Sequence, residues 1–133
     1  NDVLGLVDWR TLHDVCDALG SGDVGRLLHV VDDVVVKGND LSQFAQEILR
    51  YFRNLLVIRS GGPDELLALP DEEIDALRDR ANRFTLVQLI RLVEQFSDLS
   101  NGFENQLAQR TALEWPSSTR QSRQINYQHH NNN

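Results

Sequence analysis

Asp40-Leu41-Ser42-Gln43-Phe44-Ala45-Gln46-Glu47-Ile48-Leu49-Arg50-Tyr51-Phe52-Arg53-Asn54-Leu55-Leu56-Val57-Ile58-Arg59-Ser60-Gly61-Gly62-Pro63 is the stretch that decides the fold. Leu41, Phe44, Ile48, Leu49, Phe52, Leu55, Leu56 and Ile58 recur at spacings of three and four, which places them along one side of a helix. Asp40 can accept a hydrogen bond from the free amides of the first turn, and Gly61-Gly62-Pro63 stops the helix. Arg50, Arg53 and Arg59 lie between the apolar positions.

The same logic extends in both directions. Asp8 can cap a helix with Trp9, Leu12, Cys16 and Leu19 on one face, ended by Gly20 and Gly22. Asp23 or Ser21 can cap the next, with Val24, Leu27, Leu28, Val31, Val34 and Val35 as its buried stripe and Lys37-Gly38 at its end. Residues 64 to 69 read as a short helical turn. Pro70 starts a fourth helix, with Asp71, Glu72 and Glu73 at its positive end and Ile74, Leu77, Ala81 and Phe84 inward. Thr85 and Gln88 form a capping box before a long helix striped with Leu86, Leu89, Ile90, Val93, Phe96, Leu99 and Phe103. A break is expected at residues 105–108, then a short last helix with Arg110, Ala112 and Leu113. No segment alternates with period two over a useful length, so the class is all-α, a compact bundle of about five to six helices.

Composition narrows the function. The 133 residues are 41% apolar, enough for one core. The net charge is −7, and it is uneven: the last nineteen residues hold Arg120 and Arg123 and no acid, leaving 11 bases against 20 acids in residues 1 to 114, a net of −9. An acidic body of this kind disfavours binding nucleic acid through a broad basic face. One cysteine, Cys16, allows no internal disulfide and points to the cytosol. No run of 18 apolar residues is present, and the N-terminus has no signal-peptide pattern. It lacks an initiator Met, which suggests a piece of a longer chain. From Trp115 onward, Pro, Ser, Gln, Asn and His129-His130 offer little to bury. Residues 115–133 therefore read as a disordered tail, native or foreign, and residues 1–114 as one domain.

The search for chemistry yields bland readings. Gly20-Ser21-Gly22-Asp23-Val24-Gly25 has no following Lys-Ser/Thr and no preceding strand, so it is a helix–helix turn and not a phosphate loop. His13-Asp14 are adjacent, point about 100° apart on a helix and read as a solvated face. His29 with Asp32 or Asp33 has ligand-like spacing but lacks a further ligand. Cys16 sits on an apolar stripe as a small hydrophobe. No catalytic residue, metal site or cofactor is expected. Arg50, Arg53 and Arg59 remain open between pairing with nearby acids and contacting another subunit, where Arg is over-represented.

Several segments, taken in order, resemble one family. Val3-Leu4-Gly5-Leu6-Val7-Asp8 is similar to a junction between an ATPase module and a third, helical domain. Leu19-Gly20-Ser21-Gly22-Asp23, Leu27-Leu28-His29-Val30-Val31-Asp32, Gly38-Asn39-Asp40-Leu41-Ser42-Gln43-Phe44, Leu49-Arg50-Tyr51-Phe52-Arg53-Asn54-Leu55-Leu56 and the stretch 86–94 follow. Gln109-Arg110-Thr111-Ala112-Leu113-Glu114 resembles a closing Pro-Arg-x-x-Leu-Glu pattern, with Gln109 where proline is usual. The resemblance is to domain III, the collar, of the gamma/tau subunit of bacterial DNA polymerase III. It implies an oligomerisation domain in the five-subunit ring of a clamp loader. The partners would be other collar domains, through self-association and delta-type subunits, in the cytoplasm. Arg50, Arg53, Arg110 and Glu114 are the candidate interface residues. The family continues as an apolar helix where Trp115-Pro116-Ser117 stands here, so the last collar helix is expected to be incomplete. Two other readings remain: a free-standing helical adaptor, and a small metal-dependent hydrolase using His13, His29 and Asp32.

Overall fold

A computed structural model describes residues 7–114, without the side chains of Leu107 and residues 112–114. The described residues fall into two units, 7–100 and 101–114. Among the described residues it is all-α, with five helices: α1 (Trp9–Ser21), α2 (Val24–Val36), α3 (Leu41–Arg59), α4 (Asp71–Ala81) and α5 (Leu86–Glu114), plus a 3-10 turn at Asp64–Leu66. The tail reading for residues 115–133 falls outside the described residues.

The ends of these helices are set by local chemistry. Asp8 accepts from the Arg10 amide at 3.0 Å, Asp23 from the Arg26 amide at 3.0 Å and Asp40 from the Ser42 amide at 2.9 Å. Asp23, not Ser21, therefore caps α2; the Ser21 hydroxyl instead donates to the Asp17 carbonyl at 3.0 Å. The Thr85–Gln88 capping box closes in both directions, at 2.8 and 3.0 Å, satisfying two amides that the first turn would leave bare. Gly22 terminates α1 at φ 70°, a left-handed conformation that costs an L side chain about 1–2 kcal/mol. Gly20 does not end α1. It lies within the helix, and a Cβ there would come into ordinary contact with the Phe84 ring at 3.4 Å.

In the first unit α3 is the centre. Phe44, Ile48, Tyr51, Phe52 and Leu55 are buried in one core with Val15, Cys16, Val30, Val34, Leu77, Ala81, Phe84 and Leu89. Phe52 and Leu55 are fully enclosed, and each such burial stabilises the fold by roughly 1.5–3 kcal/mol. Phe52 stacks on Phe96 at 5.5 Å and meets Phe84 edge-on at 6.1 Å, tying α3 to both α5 and the α4–α5 turn. Helix α3 packs on α4, and α1 packs on both α2 and α3.

Position between two neighbours explains the first correction. A stripe reading assumes one buried face, but α1 has partners on two sides, so Val15 and Ala18 are buried as fully as Cys16. Trp9, assigned to the buried face, is half exposed. The second correction concerns α5, which runs through residues 105–108 to Glu114 without a break, so no separate sixth helix forms. Asn105 is a weak helix former, but it stands alone before Gln106, Leu107 and Ala108, which favour a helix, and propagation from the preceding turns carries it. In the second unit residues 101–106 and 108–111 are exposed apart from half-buried Phe103.

Candidate subunit interface

Helix α2 shows where an assembly surface could lie. Its apolar positions cover a sector too wide for one neighbour. Val30 and Val34 are buried and Leu27 and Val31 half-buried, whereas Val24 is 64% and Leu28 63% exposed, with Val35 also exposed. At about 100° per residue, Val24, Leu28 and Val35 fall within a roughly 40° arc. The stripe predicted as buried is thus only half so. The Val24, Leu28 and Val35 side of the sector forms an uncovered apolar ridge, because α1 takes up the opposite flank. Leu86, Val87 and Ile90 make a smaller exposed group on the first turns of α5.

The four sequence-predicted interface residues are not brought together as one cluster by any contact among the described residues. Arg50 and Arg53 stand exposed on α3, and no ion pair or side-chain hydrogen bond falls on either among the described residues. Arg110 is exposed in the second unit, and the Glu114 side chain lies outside the described set. Arg59, on the same helix as Arg50, has a structural role: its Nε donates to the Phe84 carbonyl at 3.0 Å and holds the α4–α5 turn.

Beside Arg50 is a pocket of about 130 Å³. Trp9, Leu12 and His13 of α1, Glu47, Arg50, Tyr51 and Asn54 of α3, and Leu69, Glu73 and Leu77 line it. His13 overturns its sequence reading. It is buried, not solvated, and shares a 2.6 Å hydrogen bond between its Nδ1 and the Tyr51 hydroxyl. Trp9 stands perpendicular to its ring at 4.7 Å, and Nε2 has no hydrogen-bond partner among the described residues. The cause is again the double packing of α1, which turns His13 toward α3. Burial holds the imidazole below the ordinary histidine range, so it stays neutral at pH 7. Burial also pushes the Cys16 thiol up to about 11. Cys16 is thus a packed thiol and not a thiolate nucleophile. The signal for the His13–Tyr51 pair was present in the spacing. His13 is four residues from Trp9 and three from Cys16; Tyr51 is three from Ile48 and four from Leu55.

Asp17 is the electrostatic hub of this unit. It accepts from Arg80 Nε at 3.0 Å and Arg83 Nη1 at 3.2 Å, joining α1 to α4 and its C-terminal turn. Asp14 pairs with Arg26 at 2.9 Å, across the α1–α2 turn. His29, Asp32 and Asp33 are exposed on α2, and Asp33 pairs with Lys37. Among the described residues, no group of three or more His, Cys, Asp and Glu side chains could hold a metal, so His13, His29 and Asp32 do not converge. Among them, too, no helix is long and apolar enough to cross a membrane.

Comparison with known proteins adds independent information. The family described as DNA polymerase III subunits gamma and tau domain III matches residues 1–114. The chain is 31% identical over 96 residues to proteins named DNA polymerase III subunit gamma/tau from Mycobacterium bovis and from two strains of Mycobacterium tuberculosis. The match covers 69% of this chain and 16% of each relative, so the chain spans about a sixth of their length. No solved structure gives a significant match.

Proposed function

We propose that this chain, which belongs to the DNA polymerase III gamma and tau domain III family, is an assembly domain that joins clamp-loader subunits through their collar domains and carries no catalytic site of its own. The observation that carries the reading is the uncovered apolar ridge of α2. A monomeric helix in water gains nothing from presenting Val24, Leu28 and Val35 together, whereas contiguous exposed apolar surface is the mark of a protein–protein contact. The acidic body speaks against a direct contact with nucleic acid, since it would add repulsion to every phosphate.

In this reading residues 1–114 are the assembly domain, working in the cytoplasm as part of DNA replication. The partners are further copies of this domain and the collars of delta-type subunits. Arg50, Arg53, Arg110 and Glu114 contribute to those contacts. Sedimentation velocity over a wide concentration range, with the whole chain alone and then mixed with partner collar domains, tests it. Association in at least one arrangement is expected. A strict monomer that binds no partner collar would overturn the reading.

A further inference from the structure

We propose that two different faces of the first unit fit each other: the α2 ridge of one copy seats in the Trp9–Arg50 pocket of a second copy, with Asp32 of the first facing Arg50 of the second. This deepens the assembly reading and rests on it.

Three observations converge on a second copy as the occupant. The first is shape. Leu28 is the most prominent large residue of the ridge's central turn, and the pocket, at about 130 Å³ with Trp9, Leu12, Leu69 and Leu77 in its wall, has room for a side chain of that size. The second is charge. Asp32 and Arg50 are both exposed, and neither makes an ion pair or side-chain hydrogen bond among the described residues. Asp32 follows Leu28 by one helical turn, about 6 Å along the axis. When Leu28 enters the pocket, Asp32 is carried to its rim. Arg50 is the only cation of the described lining, where Glu47 and Glu73 are the acids. An acid is therefore accommodated only on the Arg50 side, which sets one orientation.

The third observation is the net charge of −7, which makes indiscriminate self-association unfavourable. A contact between copies needs local opposition of charge, and the Asp32–Arg50 pairing supplies it. When the contact is made once per pair, the pair keeps one free ridge and one free pocket. Such a contact is heterologous and propagates around a ring or along a filament instead of closing as a two-fold dimer.

Charge exchange in the whole chain tests this. Asp32→Arg places two cations opposite each other, and Arg50→Glu places two acids; each single variant should weaken self-association about tenfold by sedimentation. Leu28→Glu should do so as well. Melting curves of all three should match the parent, since the residues are exposed. The deciding sample is a mixture of Asp32→Arg with Arg50→Glu. In a heterologous contact both junctions between these two variants regain opposite charges, so the mixture should associate like the parent although neither variant does alone. Parent-like association of the single variants, or no recovery in the mixture, overturns the proposal. A parent chain that binds partner collars but never itself also overturns it, and leaves the assembly reading standing.

Discussion

Replacing Tyr51 with Phe removes one oxygen and leaves the shape of the core intact, which makes it a sharp probe of the His13 pair. Tyr51 is buried, and its hydroxyl is the only described hydrogen-bond partner of the His13 ring, whose Nε2 is already bare. The variant loses a hydrogen bond worth about 1 kcal/mol net and strands Nδ1 as well, at a desolvation cost of about 1–3 kcal/mol. The gain from removing a buried hydroxyl offsets part of this, so Tyr51→Phe should destabilise the chain by about 2 kcal/mol. For a unit of about this size that lowers Tm by roughly 10 °C. The double variant His13→Leu/Tyr51→Phe replaces both partners with apolar groups and should recover at least half of the loss, since paired replacement can be nearly neutral. Urea melts of the parent, both single variants and the double variant give the coupling energy. If Tyr51→Phe costs less than about 0.5 kcal/mol, or if the two changes simply add, the buried pair does not act as described.

The neutral state of His13 predicts a pH dependence. Its folded-state pKa is depressed by burial, so below about pH 6.5 the unfolded chain binds a proton that the folded chain refuses. Stability from this group is full above that pH and falls as the pH drops, by up to about 1.4 kcal/mol per unit, until the folded form also protonates. Thermal melts between pH 7 and 5 should fall more steeply for the parent than for His13→Leu; parallel curves would contradict it. Asp17→Asn should cost about 1–2 kcal/mol in a denaturant melt, because Asp17 and Arg80 are both largely shielded. Thr85→Ala should cost about 1 kcal/mol by opening the capping box, read as a lower Tm. Along α2, Val34→Ala should cost about 2 kcal/mol and Leu28→Ala less than about 0.5 kcal/mol, a difference that equal melts would refute.

The helices themselves were legible because their causes are local. Asp8, Asp23 and Asp40 each meet an amide two or three residues ahead, and Thr85 and Gln88 meet each other; no distant partner is needed to predict such contacts. The inward set of α4, Ile74, Leu77 and Ala81, was readable from its spacing of three and four, and Phe84 is buried just past the helix end. The expected break near Asn105 failed because one weak helix former, followed by Gln106, Leu107 and Ala108, does not stop propagation from the turns already formed.

What the sequence by itself determined is the all-α class, the helix starts and the apolar sectors, all of which follow from spacings of three to four residues and from short-range capping. Tertiary structure decided how each sector is used. On α1, contact with both α2 and α3 buries a second face and turns His13 inward to Tyr51. On α2, the core covers Val30 and Val34 and leaves Val24, Leu28 and Val35 bare, although all five belong to one apolar sector. Periodicity records which residues favour leaving water. Which of them do so depends on how many elements pack on the helix and from which side, and that is where the candidate assembly surface comes from.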